Sequence, residues 1–514
     1  MSFSYYDSNF TALLDRFPSV AGVLDNACGT SLYTGLVRGR TGNVVPTLTG
    51  DKPVHSLYNQ DAETARLLEG TGEDSFVVFG GIGSGEHIRK FLAVSGSSCV
   101  LVERDPSSFK KLLDLVPLSD LFQNTAVREI IFLDAEELAE RIATSWIPVL
   151  HSNFLVIALR PWLDSLDRDR YVFDQSMKRV VTSVSADYSV QAHFGKQWFR
   201  NIVGNLAIAS QGCGVFPEAT PGKTAIIAAA GPSLEQSVNL LKKRRKDVYI
   251  FATDTAYSSL LSFGIKPDAF VSIDAQPYSA YHGYRGFSPE TKVILDLCAS
   301  TALSHSAVKS GIQPVFTCGN HPLARYAASW GPLPLMDTSS GTVTFAAYNA
   351  AQRAGFTDIE LTGADFAYTG GKAYARGTYL DAIFGKEVDR YSPYETLWIN
   401  LMFRTQVRSI RNGLKIDYHT DVLDSYARFA TSLRFQQKQS VWSSGKWPFN
   451  RFLEEYRELL FRDKQDPLNS RVLETVLPLA AWNKRRAENA AVEHNLRLSF
   501  NLALELIERY TVNQ

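Results

Sequence analysis

Six short apolar runs, separated by helical or turn-rich stretches, occupy residues 223–366, and this alternation leaves few folds open. The runs are KTAIIAAA, VYIFAT, DAFVSI, KVILDL, QPVFTC and DIELTG. Runs this short and this apolar read as strands buried on both faces. Strands that alternate with helices build a doubly wound, mostly parallel sheet. Ligands of such sheets bind beyond the carboxyl ends of the strands. Those ends carry Gly231, Asp254, Asp274, Asn320 and Asp365, which are therefore the first candidates for a site.

The chain before this region carries a second α/β signal. SFVVFGGIGSGEHIRKFL, residues 75–92, reads as strand, glycine turn and helix, and CVLVERD, residues 99–105, as a second strand. Glu103 follows the turn at Gly81 by about 20 positions, as in nucleotide-binding βαβ units, where an acidic residue takes ribose hydroxyls. The alternative is a turn that needs glycine for tight packing, with Glu103 solvated. After residue 430, PFNRFLEEYRELLFRD and RLSFNLALELIERY have helical apolar spacing with charged faces. The expected organisation is a Rossmann-like α/β domain over 1–215, a central doubly wound domain over 216–430 and a helical region over 431–514.

Charge and cysteine usage exclude several classes. Lys+Arg and Asp+Glu are both 53, so there is no basic excess for coating nucleic acid. No apolar run reaches the ~18–20 residues of a membrane span. The opening MSFSYYDSNF lacks the pattern of a signal peptide. Cys28, Cys99, Cys213, Cys298 and Cys318 are widely spaced, which fits a reducing cytoplasm better than a disulfide framework and gives no zinc pattern.

Several residues could carry chemistry. Gly231, Pro232 and Ser233 stand where a strand turns into a helix, with proline suited to the first helical turn. Such a turn is either an anion site, most naturally for a phosphate, or a simple helix cap. It lacks the lysine of a Walker loop. Asp254 and Asp274 end neighbouring strands and suit ribose, base, Mg²⁺ or a helix cap. Ser340, Gly341 and Thr342 open a helix in a second anion-friendly arrangement, and Gly363 and Asp365 end the next strand. Tyr368 and Tyr374 follow on a glycine-rich loop; their hydroxyls can donate to a departing phosphate, or their rings can pack. His419, between Asp417 and Asp421, is a candidate base for an acceptor hydroxyl, with His321 its rival; each also has a structural alternative.

The middle of the chain resembles the DUF115 family, which includes the motility accessory factors (Maf) that glycosylate flagellin. AAAGPSL, FATDTAYSSLLSFGIKPDAFVSIDAQP and GTVTFAAYNAAQRAGFTDIELTGADFAY carry the resemblance, and FGGIGSGEHI, VLVERD and WFRNIVGNL extend it toward the N-terminus. The same pattern is similar to bacterial sialyltransferases, of GT-A-like fold, which hold a CMP-activated nonulosonic acid. That resemblance implies Gly231, Ser233, Asp254, Asp274, Ser340, Gly341 and Asp365 around CMP, Tyr374 and Tyr368 on the leaving phosphate, and a downstream base matched by His419. Ala230, Asp254 and Asp274 stand where sialyltransferases have asparagines. Acidic strand ends also occur in the related archaeal pterin pyrophosphokinases, but Ala275 and Gln276 leave their multi-carboxylate metal pattern incomplete.

The resemblance thus implies a cytoplasmic, CMP-dependent glycosyltransferase that moves a pseudaminic, legionaminic or sialic-like sugar to Ser/Thr of flagellin in support of motility. It implies no required cofactor and no dedicated metal ligand, with Mg²⁺ left as an option. Two alternatives stand beside it: a Mg²⁺-dependent 6-hydroxymethylpterin pyrophosphokinase, and a non-catalytic flagellin-binding assembly factor. Sugar, acceptor residue and oligomeric state are not encoded in any motif.

Overall fold

The structure, a computed structural model, describes residues 4–510 apart from 41, 95, 134–136, 413–414, 432–444 and 488–489. The chain divides into two compact units, residues 1–193 with 480–495 and residues 194–479 with 496–514. The sequence suggested three regions with borders near 215 and 430. The observed border lies inside the helix Asp169–Ala209 instead, and the C-terminal helices are shared out to complete both units.

In the first unit, β1 (Tyr33–Arg38), β2 (Val44–Leu48) and β3 (Lys52–Pro53) form a small antiparallel sheet. The strands β4 (Ser75–Gly80), β5 (Ser98–Glu103), β6 (Val127–Phe132) and β7 (Asn153–Ala158) form a parallel sheet in the order β6-β5-β4-β7. Every residue of β4 and β5 is buried, as the uninterrupted apolar runs require. The glycine turn after β4 packs against the protein itself. A Cβ on Gly81 would sit 2.6 Å from Trp162, and one on Gly83 2.3 Å from His55. Glu103 is fully buried, and its carboxylate accepts hydrogen bonds from Tyr33 Oη at 2.8 Å, Ile82 N at 2.8 Å and Trp162 Nε1 at 3.0 Å. The glycines therefore serve close packing. Glu103 is neither a ribose ligand nor solvated: its lone pairs are spent on three buried donors.

The second unit holds a six-stranded sheet of β8 (Thr224–Ala228), β9 (Val248–Thr253), β10 (Ala269–Ser272), β11 (Lys292–Asp296), β12 (Val315–Thr317) and β13 (Ile359–Thr362). These are the six runs of the sequence. Their order is β12-β11-β10-β9-β8-β13, and all neighbours run parallel. One face is covered by the helix Val343–Ala354, whose Ala346, Ala347, Ala350 and Ala351 lie against Ile227, Phe251 and Val271. Alanine at each of those positions lets the helix approach the sheet closely. The other face packs on Phe199, Ile202 and Leu206 of the long helix. Phe452, Tyr456 and Leu460 from the helix Phe449–Asp463 and Phe500 and Ile507 from the helix Val492–Glu508 belong to the same core. The amphipathic tail is thus core material of this sheet.

Two asparagines on one side of the long helix close part of the sheet's carboxyl edge. Asn201 Nδ2 donates to the carbonyls of Ala275 (3.0 Å) and Cys298 (2.9 Å), and Asn205 Nδ2 to those of Leu297 (2.9 Å) and Ala299 (2.8 Å). The WFRNIVGNL motif is explained by this clamp, which seals the segments leaving β10 and β11. A ladder two-stranded hairpin, β14 (Arg408–Asn412) with β15 (Lys415–His419), follows the main sheet in sequence. Among the described residues no helix is long and apolar enough to cross a membrane.

Burial pushes Glu103 up from 4.5 to about 6, against the opposing pull of its three donors. Its contribution to stability is fully present below pH 4.5 and is lost as pH rises through about 6. Glu103→Gln, which cannot ionise, is expected to gain on the wild type by about 2 kcal/mol between those limits and neutral pH. Glu103→Ala, which leaves three donors unpaired, is expected to lose about 3 kcal/mol or more. Urea unfolding across the pH range checks both; a ribose-binding Glu103 would show neither effect.

Candidate functional site

Chain order reverses on the two sides of β8. The strands β9 to β12 extend the sheet one way, and β13 returns to the other side of β8. At such a switch point the connections leave in opposite directions and a crevice opens past the strand ends. Here the two diverging turns are braced against each other. Gly231 N donates to Gly363 O at 2.7 Å, Ala229 N to Thr362 O at 2.8 Å and Ala375 N to Ala230 O at 2.8 Å. The carboxylate of Asp365 accepts from Ser233 N at 2.9 Å, at the start of the helix Leu234–Lys243. Both glycines are obligatory. A Cβ on Gly231 would meet Asp365 Oδ2 at 2.3 Å, and Gly363, at φ +67°, would place one 2.1 Å from Ala229 O.

A cavity of about 590 Å³ lies over this crossing. Gly231, Gly363 and Asp365 form its floor, and Asp254 and Thr255 enter from the end of β9. Thr342 and Thr344 line it from the start of the helix Val343–Ala354, and Tyr368 and Tyr374 from the loop after β13. Buried Asp254 is fully engaged: Oδ1 accepts from Thr255 N at 2.7 Å and Oδ2 from Ser272 Oγ at 2.7 Å. Thr342 caps its own helix, with Oγ1 accepting from Thr344 N at 3.4 Å. The Tyr374 hydroxyl is pushed up to about 12, chiefly by burial and then by its neighbours Tyr379 and Tyr368, with Arg404 opposing. It therefore stays protonated and able to donate.

Seven of the sequence candidates share this cavity: Gly231, Asp254, Thr342, Gly363, Asp365, Tyr368 and Tyr374. Pro232 and Ser233 lie just behind the wall, and the Ser233 N–H offered to a phosphate is already taken by Asp365. Ser340 and Gly341 form the turn before Thr342; Gly341 O takes a 3.5 Å hydrogen bond from Tyr426 Oη. Asp274 sits past β10, outside the wall, where it accepts from Gln276 N at 2.9 Å; burial raises its pKa and nearby Asp254 adds to the shift. Asn320 is not gathered in. It ends β12, four strands from β8, and accepts from Arg325 at 2.7 Å.

The two histidines separate clearly. His321 is buried at the β12 end, its Nδ1 accepting from Leu323 N at 3.2 Å, and burial pushes it down to about 3. It is a helix cap. His419 ends β15, and the residues that follow it, Thr420 and Asp421, line the cavity. Its Nδ1 is held 2.9 Å from Asp424, which also pairs with Arg408, so its carboxylate partner is Asp424 rather than flanking Asp417 or Asp421. A ring fixed through Nδ1 keeps Nε2 for a proton.

Comparison with known proteins places the chain. It is 36% identical over 234 residues to an uncharacterized protein of Treponema pallidum (strain Nichols), covering 45% of this chain and 80% of that one. A second uncharacterized protein of the same organism is 38% identical over 154 residues, covering 30% and 72%. Residues 196–371 match the family model described as "6-hydroxymethylpterin diphosphokinase MptE-like". The chain belongs to the MptE-like family. The matched segment begins just before the asparagine clamp and ends within the tyrosine loop, so it contains β8, β13 and the contact of Asp365 with Ser233 but stops short of Tyr374 and Ala375. A solved structure of the Maf glycosyltransferase from Magnetospirillum magneticum AMB-1 shares the fold of this MptE-like chain, with a TM-score of 0.54 at 13% identity, covering 99% of this chain and 91% of that one.

Part of the cavity wall lies beyond the segment that defines the MptE-like match. Arg404, Thr405 and Gln406 enter between the helix Tyr394–Met402 and β14, and Tyr426 from the helix Asp421–Thr431. The sequence offered one usable signal for them, a polar RTQ step between apolar LWINLMF and the hairpin. Among the described residues no group of three or more His, Cys, Asp or Glu is arranged to hold a metal ion. Gly231→Ala in this MptE-like chain is expected to force the two turns apart and cost about 1–3 kcal/mol. Thermal unfolding reads the loss; an unchanged midpoint would disprove the tight crossing.

Proposed function

We propose that the protein is a cytoplasmic glycosyltransferase of the Maf type, which moves a nonulosonic acid from its CMP-activated form to a Ser/Thr hydroxyl of flagellin. The observation that carries this reading is the cavity at the switch point, with protonated Tyr374 on its wall, in a chain that shares the Maf glycosyltransferase fold along almost its whole length. Its volume falls in the range of small-molecule sites. In the reaction the bond from the sugar's anomeric carbon to the phosphate oxygen breaks, and both electrons stay with phosphate. The acceptor hydroxyl oxygen forms the new bond to that carbon. Its proton goes to Nε2 of His419, oriented by Asp424. Tyr374, with Tyr368 beside it, donates a hydrogen bond to the charge growing on phosphate, which is worth more inside a half-buried cavity than in water.

The family description favours a second reading, a Mg²⁺-dependent pterin diphosphokinase. In that case ATP with Mg²⁺, and not CMP, raises the melting temperature. The glycosyltransferase reading is tested by co-expression with flagellin and the donor pathway. Intact mass is expected to rise by one nonulosonic acid per modified residue, and Tyr374→Phe to slow transfer about 10²–10³-fold. An unchanged flagellin mass with the donor confirmed present would overturn it.

A further inference from the structure

Three helices begin at the cavity, and each already gives one N–H at its start to a side chain of this chain. Asp365 holds Ser233 N at 2.9 Å, Asp254 holds Thr255 N at 2.7 Å, and Thr342 holds Thr344 N at 3.4 Å. Free N–H groups at a helix start are the usual backbone site for a phosphate. Here two of the three starts carry a carboxylate, whose charge repels an anion. A phosphate in this cavity is therefore better met by a cationic side chain.

Charged lining residues reduce the choice to one. Asp254, Asp365 and Asp421 are acidic, and Arg404 is the only cation among the described lining residues. The next arginine along, Arg408, is tied to Asp421 at 3.2 Å and to Asp424. Arg404 is exposed and pairs with no carboxylate among the described residues. Its charge acts on the hydroxyls of both Tyr374 and Tyr379, so guanidinium and Tyr374 hydroxyl border the same space. A guanidinium presents a planar fork that matches two phosphate oxygens.

We propose that Arg404, from the loop between the helix Tyr394–Met402 and β14, is the phosphate-binding residue of this cavity, acting beside Tyr374 in place of a helix N-terminus. The assignment rests on the proposed use of a nucleotide-activated donor, and the test separates the two. Calorimetric titration of the full chain uses CMP against cytidine and ADP against adenosine, each pair differing in phosphate, with wild type, Arg404→Ala and Arg404→Lys. Arg404 is exposed, so the alanine variant is expected to fold, and its circular dichroism melt checks this.

Wild type is expected to prefer CMP over cytidine. Arg404→Ala is expected to reduce that preference about tenfold or more while leaving cytidine affinity unchanged. Arg404→Lys restores part of it, since the charge returns without the fork. If only ADP shows an Arg404-dependent preference over its nucleoside, the phosphate assignment holds and the CMP donor falls. A phosphate preference that survives Arg404→Ala overturns the assignment. So does a wild type that binds neither nucleotide, or an Arg404→Ala loss equal for nucleotide and nucleoside.

Discussion

The carboxylate of Asp365 on the amide of Ser233 fixes the distance between the two turns that make the cavity. It joins the end of the last strand to the start of the first helix across the switch point, and it works only because neither turn has a Cβ in the way at Gly231 or Gly363. A longer side chain would hold the turns apart, and an uncharged one would leave the helix start open to anions. The same carboxylate that shapes the floor thus decides which ligand atoms cannot lie on it.

On the proposed reading, an acidic wall has to serve an anionic ligand. Backbone dipoles are the usual means by which α/β proteins hold phosphate. In this chain one N–H at each of three helix starts is spent on a side chain, two of them on carboxylates, and the sheet's far half is closed by Asn201 and Asn205. What stays available is a short stretch of edge above β8, β9 and β13, lined by hydroxyls, three carboxylates and, among the described residues, one guanidinium. Selection then depends on few groups, each on a loop or hairpin that lies outside the sheet.

The sheet was readable because five of its six strands are largely buried and so appear as continuous apolar runs. The edge strand β13, with Glu360 and Leu361 exposed, is the least apolar of the six, and all six runs are strands. The gathering of Gly231, Asp254, Gly363 and Asp365 was readable for the same reason, since strand ends follow strands. Asn320 shows where that logic stops: a strand end says nothing of its place in the sheet order, and β12 lies at the far edge. Glu103 shows a second limit. The spacing of a nucleotide-binding turn is also the spacing of a packed one, and only Trp162, Tyr33 and His55, distant in sequence, decide between them. Arg404 was not legible, because a single arginine in a loop carries no periodicity. His419 was found by its acidic surroundings, yet its true partner, Asp424, is a turn further along.

The division of the C-terminal helices between the two units has a consequence for synthesis. Residues 480–495 complete the first unit and the helix Val492–Glu508 supplies core to the second. The apolar core of the first unit is drawn from residues 12–184 and can form early in translation, in the usual N-to-C order. The second unit's sheet, by contrast, cannot close its interior until Phe500 and Ile507 have left the ribosome. A stop codon shortly before Val492 would leave one finished core and one open one.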